Sequence, residues 1–394
     1  MSAGWALLDP ASPGWAATVD ALWARLDPAG GLVVPAYFVK ATFARMGGLL
    51  ATDGAGAVGL LFPRRSGDGR RAYTLRMRGG DPAAVAALVA PHPVVAYDPV
   101  GTLTYAATHA ERGGFDLGAP GREDLGAIGA LHSAIWGGGV EARYPADLWS
   151  AELGPATALV ARREGRLAGF LLGFHRSGLP ALAGLGLPYR LDLAVESQVL
   201  GVASEARRSG LAATLKLEQA RLALAQGLDL IHWTADPLQY PNAALNFGRL
   251  RAVAGEHYAA YYPFHNALNR VPASRLGLVW LPRSARARAA LAGTPGPAER
   301  GLGRFPGCAR LNRRVEALGE PGGAPFLALH IPADWTALQR DDLGLAARWR
   351  AAADSLLARH LGFAPGRYLA VDAASEGAER FLVLQRYEPG LLLP

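Results

Sequence analysis

Short apolar runs and longer stretches of helical period alternate most clearly between residues 109 and 282. Residues 158–162, 167–174, 191–202 and 228–234 are apolar runs bounded by Gly and polar positions, and they read as strands. Residues 122–135 and 211–226 read as helices, the second with Leu215, Leu217, Leu222 and Leu224 as apolar positions. The first 108 residues hold two short helix-like segments and strand-like runs at 49–51, 58–62 and 73–77. Residues 283–307 are rich in Pro, Gly, Ala and Arg and read as an exposed loop or linker. Beyond them, strand-like runs at 326–331, 368–371 and 381–385 accompany a helix from about 341 to 361. This alternation is that of an α/β protein. The division it suggests is an N-terminal α/β domain at 1–108, a central domain at 109–282, a linker at 283–322, and a C-terminal α/β extension at 323–394 packing on the central domain.

Composition narrows the class more than the chemistry. With 51 % hydrophobic residues in 394, the chain can build real cores. Its net charge is +7, yet Lys40 and Lys216 are the only lysines, so 38 of its 40 basic residues are Arg. Abundant Ala, Gly and Pro make this a compositional bias. No block of five like charges and no basic patch interleaved with aromatics occurs, so no nucleic-acid partner is expected. A positive field still helps to gather an anionic cofactor. Cys308 is the single cysteine, which rules out an intramolecular disulfide and fits a reducing cytoplasm. Residues 1–25 lack the pattern of a secretory leader, and no apolar run reaches the roughly 18 residues of a membrane span. A cytoplasmic protein with no membrane partner is the expectation. The chain has no Gly-Lys-Ser/Thr loop, no Gly-x-Ser-x-Gly elbow and no His spacing of a metal site. Gly184-x-Gly186 and Gly301-x-Gly303 lack the third glycine of a dinucleotide fingerprint.

The informative passage runs from Leu191 to Gly227. An apolar strand ends at Leu200-Gly201-Val202, a polar turn follows at Ala203-Ser204-Glu205-Ala206, and Arg207-Arg208-Ser209-Gly210-Leu211-Ala212-Ala213 leads directly into a helix. The first N–H groups of a helix have no partner within it, and the macrodipole adds partial positive charge there. A diphosphate is well held at such a point. Gly210 allows a positive φ and close approach of the backbone, Ala212 is nearly as small, and Arg207 brings a lasting charge.

Arg207, Gly210 and Ala212 fill the specified positions of Gln/Arg-x-x-Gly-x-Gly/Ala, and the passage resembles the acyl-CoA loop of the GNAT superfamily. Ser204 stands where many members have Pro, and Arg208 where many have Gly. The resemblance implies a mixed, mostly antiparallel sheet splayed between its fourth and fifth strands and flanked by helices, with acetyl-CoA or another acyl-CoA as co-substrate and no metal. Leu200, Gly201, Val202 and the run from Arg207 through Arg208, Ser209, Gly210, Leu211 and Ala212 to Ala213 would bind the cofactor. Asn242 and Asn246, on the helix after the fifth strand, would touch it as well. Further motifs look like one subgroup of predicted GNAT acyltransferases: Ser197-x-x-Leu200-Gly201-Val202, Trp233-Thr234-x-Asp236-Pro237-Leu238, Asn269 with Ser274-Arg275, Ile331-Pro332-Ala333-Asp334 and Ala346-x-x-Trp349-Arg350. Gln198 follows Ser197 where that group carries a His, and Arg251 stands where a Gly is usual.

A repeat bears on the N-terminal third. Leu49-Leu50-Ala51 with Gly56, Gly59, Leu60 and Leu61 echoes Leu159-Val160-Ala161 with Gly165, Gly169, Phe170 and Leu171. One reading is two unrelated apolar hairpins in an Ala/Gly-rich chain. The other is a tandem of a degenerate and a complete GNAT-like unit, since Arg78-Gly79-Gly80-Asp81 offers too little to hold a diphosphate by the same means.

The resemblance implies N-acyl transfer of an acetyl or larger group, such as succinyl, from CoA to a primary amine of an amino acid or other small molecule. The alternative is a non-catalytic protein that binds or senses acyl-CoA. Transfer needs a base for the amine, a polarised carbonyl and a proton donor for the thiolate. Glu196, charged within an apolar run, is the first candidate base, with burial expected to raise its pKa; the competing reading is a solvated face or an Arg pair. His232 on the neighbouring strand is the second. The superfamily's helix Tyr is missing between Asn242 and Val253, which leaves Tyr258, Tyr261 and Tyr262 as candidates for acid or acceptor pocket, Tyr262 foremost. Arg275 could hold an acyl carboxylate or a structural salt bridge.

Overall fold

The computed structural model describes residues 4–9, 12–26, 40, 49–53, 57–65, 71–78, 80–92, 94–97, 110–121, 123–137, 144, 146–149, 156–177, 179–262, 269–293, 300–320 and 322–394. They fall into two compact units: Met1–Thr108 with Ala119–Pro155, and His109–Gly118 with Ala156–Pro394. The α/β class expected from the sequence is the one observed. Among the described residues, no helix is long and apolar enough to cross a membrane.

The first unit has a five-stranded sheet in chain order: β1 (Ala6–Leu7), β2 (Leu49–Thr52), β3 (Val58–Arg65), β4 (Arg71–Arg78) and β5 (Val94–Tyr97). Helix α1 (Trp15–Leu26) puts Val19, Leu22 and Trp23 against Leu50, Val58 and Leu60. The short α2 (Pro82–Ala87) brings Val85 to the cluster of Ala51, Leu61, Tyr73 and Leu75. Strand alternation sends Leu50 and Ala51 to opposite faces, so each helix finds its own apolar layer. Helix α3 (Asp124–Trp136) belongs to this unit.

The second unit is built on a twelve-stranded sheet. Its strands are β6 (Ala110–Arg112), β7 (Phe115–Gly118), β8 (Thr157–Arg163), β9 (Arg166–Ser177), β10 (Leu193–Val202), β11 (Ile231–Ala235), β12 (Val253–Tyr262), β13 (Ala273–Trp280), β14 (Cys308–Arg310), β17 (Phe326–Ile331), β18 (Tyr368–Glu376) and β19 (Glu379–Arg386), with β15 (Asn312–Arg313) and β16 (Glu316–Ala317) forming a separate small hairpin. The spatial order is β14-β17-β19-β18-β12-β13-β11-β10-β9-β8-β7-β6. Neighbours are antiparallel except β10 with β11 and β14 with β17.

Helix α4 (Leu211–Ala225) makes the crossover from β10 to β11. Leu211, Leu215 and Gln219 line one side of it at helical spacing, and two glycines of β9 let that side settle. A Cβ on Gly169 would stand 2.9 Å from Gly201 O and 3.1 Å from Leu211. One on Gly173 would stand 2.7 Å from Thr157 Oγ1 and 2.8 Å from Gln219 Nε2.

The C-terminal residues depart from the expected division. The stretch read as a linker forms α6 (Ala285–Leu291), capped by the Ser284 hydroxyl, and then β14. β12 pairs with β18 at Ala254 and Ala370, so 323–394 continue the central sheet as β17, β18 and β19 rather than packing on it as a separate layer. The helix expected at about 341–361 is α8 (Leu343–His360), capped by Asp342, and a further short helix, α7 (Trp335–Asp341), precedes it. Ala119–Pro155, expected in the central domain, lies in the first unit.

The repeat read in the sequence extends to topology. β2-β3-β4-α2-β5 and β8-β9-β10-α4-β11 share one succession: three antiparallel strands, a crossover helix, and a strand parallel to the third. Gly173→Val should lower stability by about 1–3 kcal/mol through overpacking under α4. Chemical denaturation checks this, with the circular dichroism of the folded variant unchanged.

Candidate functional site

β10 and β11 run side by side for only two ladder positions, Val195 with Ile231 and Glu196 with His232. Beyond Glu196 and His232 the strands part, the splay expected between the fourth and fifth strands. A β-bulge lies just past this point: the register between β10 and β9 shifts from Ser197 to Val199, leaving Gln198 outside the ladder.

Past the end of β10 a single 3₁₀ turn (Ser204–Ala206) leads to Arg207, and α4 starts after Gly210. Gly210, the N-cap, is in the left-handed region at φ 91° and has no side chain to cap the helix; Ser209 Oγ accepts from Leu211 N at a long 3.3 Å. Ser209 braces the turn, its hydroxyl donating to Ala206 O at 2.7 Å. Arg207 and Arg208 are exposed, Leu211 and Ala213 are buried, and Ala212 is half-buried between them. Arg208, where many GNAT loops have Gly, has φ 64°, and Arg251, the other Arg in place of Gly, has φ 61°. Both departures fall where the backbone shape favours glycine.

The equivalent helix start in the first unit is closed. Asp81 caps α2 with its own carboxylate, accepting from Ala83 N at 2.9 Å, and the Trp5 ring lies where a Cβ on Gly80 would be, 2.5 Å away. The loop that looked too short to hold a diphosphate is thus filled by an anion of the chain itself.

Arg249 is the residue the sequence reading missed. It ends a π-helical segment (Ala244–Arg249) that continues α5 (Tyr240–Ala243). Its guanidinium lies over Gly210, with Nη1 2.9 Å from where a Cβ there would stand. A cation from the far side of the splay therefore faces the open end of α4. Only its basic character and its place after Asn246 hinted at this; the approach depends on the wider π turn. Asn242 is exposed and Asn246 buried.

The two candidate bases sit together. His232 Nδ1 is 2.8 Å from Glu196 Oε2, and Arg176 donates to the same oxygen at 2.5 Å while lying 3.1 Å from Nδ1. Burial pushes the Glu196 carboxyl up, but His232 and Arg176 outweigh it and hold it below the usual carboxylate value. This corrects the expectation of a raised pKa; His232 is the larger lowering influence, and Arg176, twenty residues upstream on β9, adds to it. The bonded arrangement contributes stability above the ordinary carboxylate pKa and loses it only as pH falls through the lowered one. With Glu196 accepting from Nδ1, Nε2 is the free ring nitrogen; it is buried and has no hydrogen bond among the described residues.

The tyrosines divide. Tyr262 packs on Arg275 and Tyr261. Burial and Glu256 push the Tyr258 hydroxyl well up, and Tyr258 lies within electrostatic reach of Arg176. Arg275 reaches Asp236 at 3.6 Å, the salt-bridge reading. Asp236 is also bonded by Arg350 at 2.6 Å and by Trp335 Nε1 at 3.2 Å, while its other oxygen accepts from Leu238 N. The dispersed motifs around Asp236, Arg275 and Arg350 thus meet at one buried carboxylate.

No protein-family model matches the sequence, and no curated protein does. Solved structures do match part of it. NAA60 of Arabidopsis thaliana in complex with acetyl-CoA is 15 % identical, covering 42 % of this chain and 99 % of its own, at TM-score 0.34. The ribosomal-protein-alanine N-acetyltransferase of Brucella melitensis is 18 % identical over 42 % of this chain and 98 % of its own, at TM-score 0.33. The ribosomal-protein-S18-alanine N-acetyltransferase of Escherichia coli is 13 % identical over 42 % and 93 %, at TM-score 0.30. The likeness is one of fold.

Asp236→Ala should cost about 3–5 kcal/mol, because it leaves the buried Arg350 charge unpaired. Thermal or urea unfolding measures it; a loss under 1 kcal/mol would mean that the network is not what fixes the end of β11.

Proposed function

We propose that this chain is an acyl-CoA-dependent N-acyltransferase of the GNAT type, moving an acetyl or larger acyl group to a primary amine of a small molecule. The observation that carries the reading is the start of α4 at Gly210, where only Ser209 Oγ reaches a helix N–H, at 3.3 Å, beside strands that have parted and beneath the Arg249 guanidinium. That arrangement suits an anion at the helix end and a slender arm between the strands.

The residues divide the work as follows. The first N–H groups of α4, at Leu211, Ala212 and Ala213, hold the diphosphate with Arg207 and Arg249. Leu200, Gly201 and Val202 flank the pantetheine arm on one side, Asn242 and Asn246 on the other. Backbone N–H groups of β10 beside the bulge at Gln198 polarise the acyl carbonyl. His232 Nε2, oriented through Nδ1 by Glu196, takes the proton of the amine. Glu196 is then a positioning residue, since Arg176 and His232 already occupy its carboxylate.

The engagement of Glu196 Oε2 by Arg176 favours a second reading, a protein that binds acyl-CoA without turnover. Calorimetric titration with CoA, acetyl-CoA and succinyl-CoA comes first. Binding should be lost in Gly210→Trp and weakened about tenfold in Arg249→Ala, the loss of one charge-assisted contact. No binding to the wild-type protein would end the acyl-CoA reading.

With an acceptor amine in hand, His232→Gln should lower kcat by about 10²-fold or more while leaving CoA affinity unchanged. Unchanged kcat would remove His232 from the chemistry, and CoA binding with no turnover on any amine would establish the sensing reading.

A further inference from the structure

The buried side of the splay carries polar groups for which packing gives no reason. In parallel register, the pair after Glu196 and His232 is Ser197 and Trp233, the first position where β10 and β11 no longer share a ladder. Lys216 rises from α4 to that position. Its Nζ lies 2.6 Å from Ser197 Oγ and 3.7 Å from the centre of the Trp233 ring. One amino group therefore bridges both lips of the gap. Ser197 is 6 % exposed and Lys216 4 %.

Charges around Lys216 are few. Glu196, next to Ser197 but on the opposite face of β10, is engaged by Arg176 of β9 and His232 of β11. Glu218, on α4 itself, pairs with Arg221 and lies 3.9 Å from Arg112 of β6. β8 contributes Thr157, which accepts from Gln219 of α4. Burial lowers the Lys216 pKa to about 7, Glu196 acting the other way. A methionine would fill the same space without desolvating a charge, so a lysine here is costly to the fold.

We propose that Ser197 and Lys216 are the proton-donating arm of the site, with Ser197 Oγ meeting the sulfur that leaves. The proposal rests on the reading of this splay as the path of an acyl-CoA, and it fills the role left vacant by the absence of a tyrosine between Asn242 and Val253. The balance is complete. The amine nitrogen bonds to the acyl carbon and gives its surplus proton to His232. The C–S bond breaks with its electron pair remaining on sulfur. Ser197 Oγ gives its proton to that sulfur and takes one from Lys216 Nζ. Lys216 regains a proton from water, and His232 returns one.

The test needs no acceptor amine. CoA and a CoA analogue lacking the sulfur are titrated calorimetrically into the full-length protein. The thiol of bound CoA is followed by its ultraviolet thiolate absorbance from about pH 6 to about pH 9, a range bracketing an ordinary thiol. In the wild type the bound thiol should ionise about one unit or more below free CoA, because an ammonium and a hydroxyl face it. In Lys216→Met the shift should vanish or reverse, with affinity for the sulfur-free analogue unchanged. Ser197→Ala, which removes the atom touching sulfur, repeats the test should Lys216→Met not fold. A thiol titration identical in wild type and variants overturns the proposal with the cofactor reading intact. Failure of CoA and its analogue alike to bind the wild type overturns both, and is seen before any variant is made.

Discussion

The parting of β10 from β11 is the constraint around which the second unit is arranged. Buried backbone N–H and C=O groups need partners, and a sheet normally supplies them along its whole length. Here the supply stops after Glu196 and His232. The opening is held from one side by Asp236, just past β11, whose bonds to Arg350, Trp335 and Arg275 all lie towards β13 and the C-terminal helices. From the other side α4 binds β10 to β9 and β8 through the glycine-permitted contacts of Leu211, Leu215 and Gln219. The strands are pinned to different neighbours, so closing the gap would require breaking a buried ion pair or lifting a packed helix.

The two units show what one succession of elements becomes when its helix end is filled or left open. In the first, the Asp81 carboxylate accepts from Ala83 N at the start of a helix of six residues, and Trp5 covers the turn. In the second, Gly210 caps nothing, and the helix has fifteen residues to align its dipole. The N-terminal end that accepts its own carboxylate has no use for an external anion. The difference is one carboxylate and one glycine, which is why it could be suspected at Arg78–Asp81 from the sequence.

Local features were the legible ones. The strand-turn-helix at Leu200–Ala213 is contiguous, and its Gly210 sits at a positive φ as a loop of that kind needs. Glu196 and His232 were each singled out, and strand pairing brings them within 2.8 Å. Long-range groups were not legible. The direction of the Glu196 shift comes from His232 and, after it, Arg176 meeting the carboxylate, and the cation over Gly210 depends on the extra residue per turn that lets Arg249 reach back. Residues 283–322 looked like a linker because Arg, Gly and Pro dominate them; the Ser284 cap was the visible sign of α6. Lys216 had a signal too: a lysine is rare in this chain, and this one stands between Leu215 and Leu217 on a buried helix.

Strand geometry also explains how a single site could accept and donate protons without the two groups neutralising each other. Glu196 and Ser197 are consecutive on β10, so their side chains leave on opposite faces. The Glu196–His232–Arg176 cluster forms on one face and the Ser197–Lys216–Trp233 cluster on the other. Between them stands only the strand, at the place where its ladder to β11 has ended. A one-residue slip would exchange the faces and bury the carboxylate under α4. The bulge at Gln198 comes after this pair, so it can turn the backbone of the splay while Glu196 is still fixed by β9 and β11 and Ser197 by β9. On the proposed reading, the order along the chain, carboxylate, hydroxyl, bulge, is what would separate the proton-accepting side from the proton-donating side and place the carbonyl-polarising backbone between them.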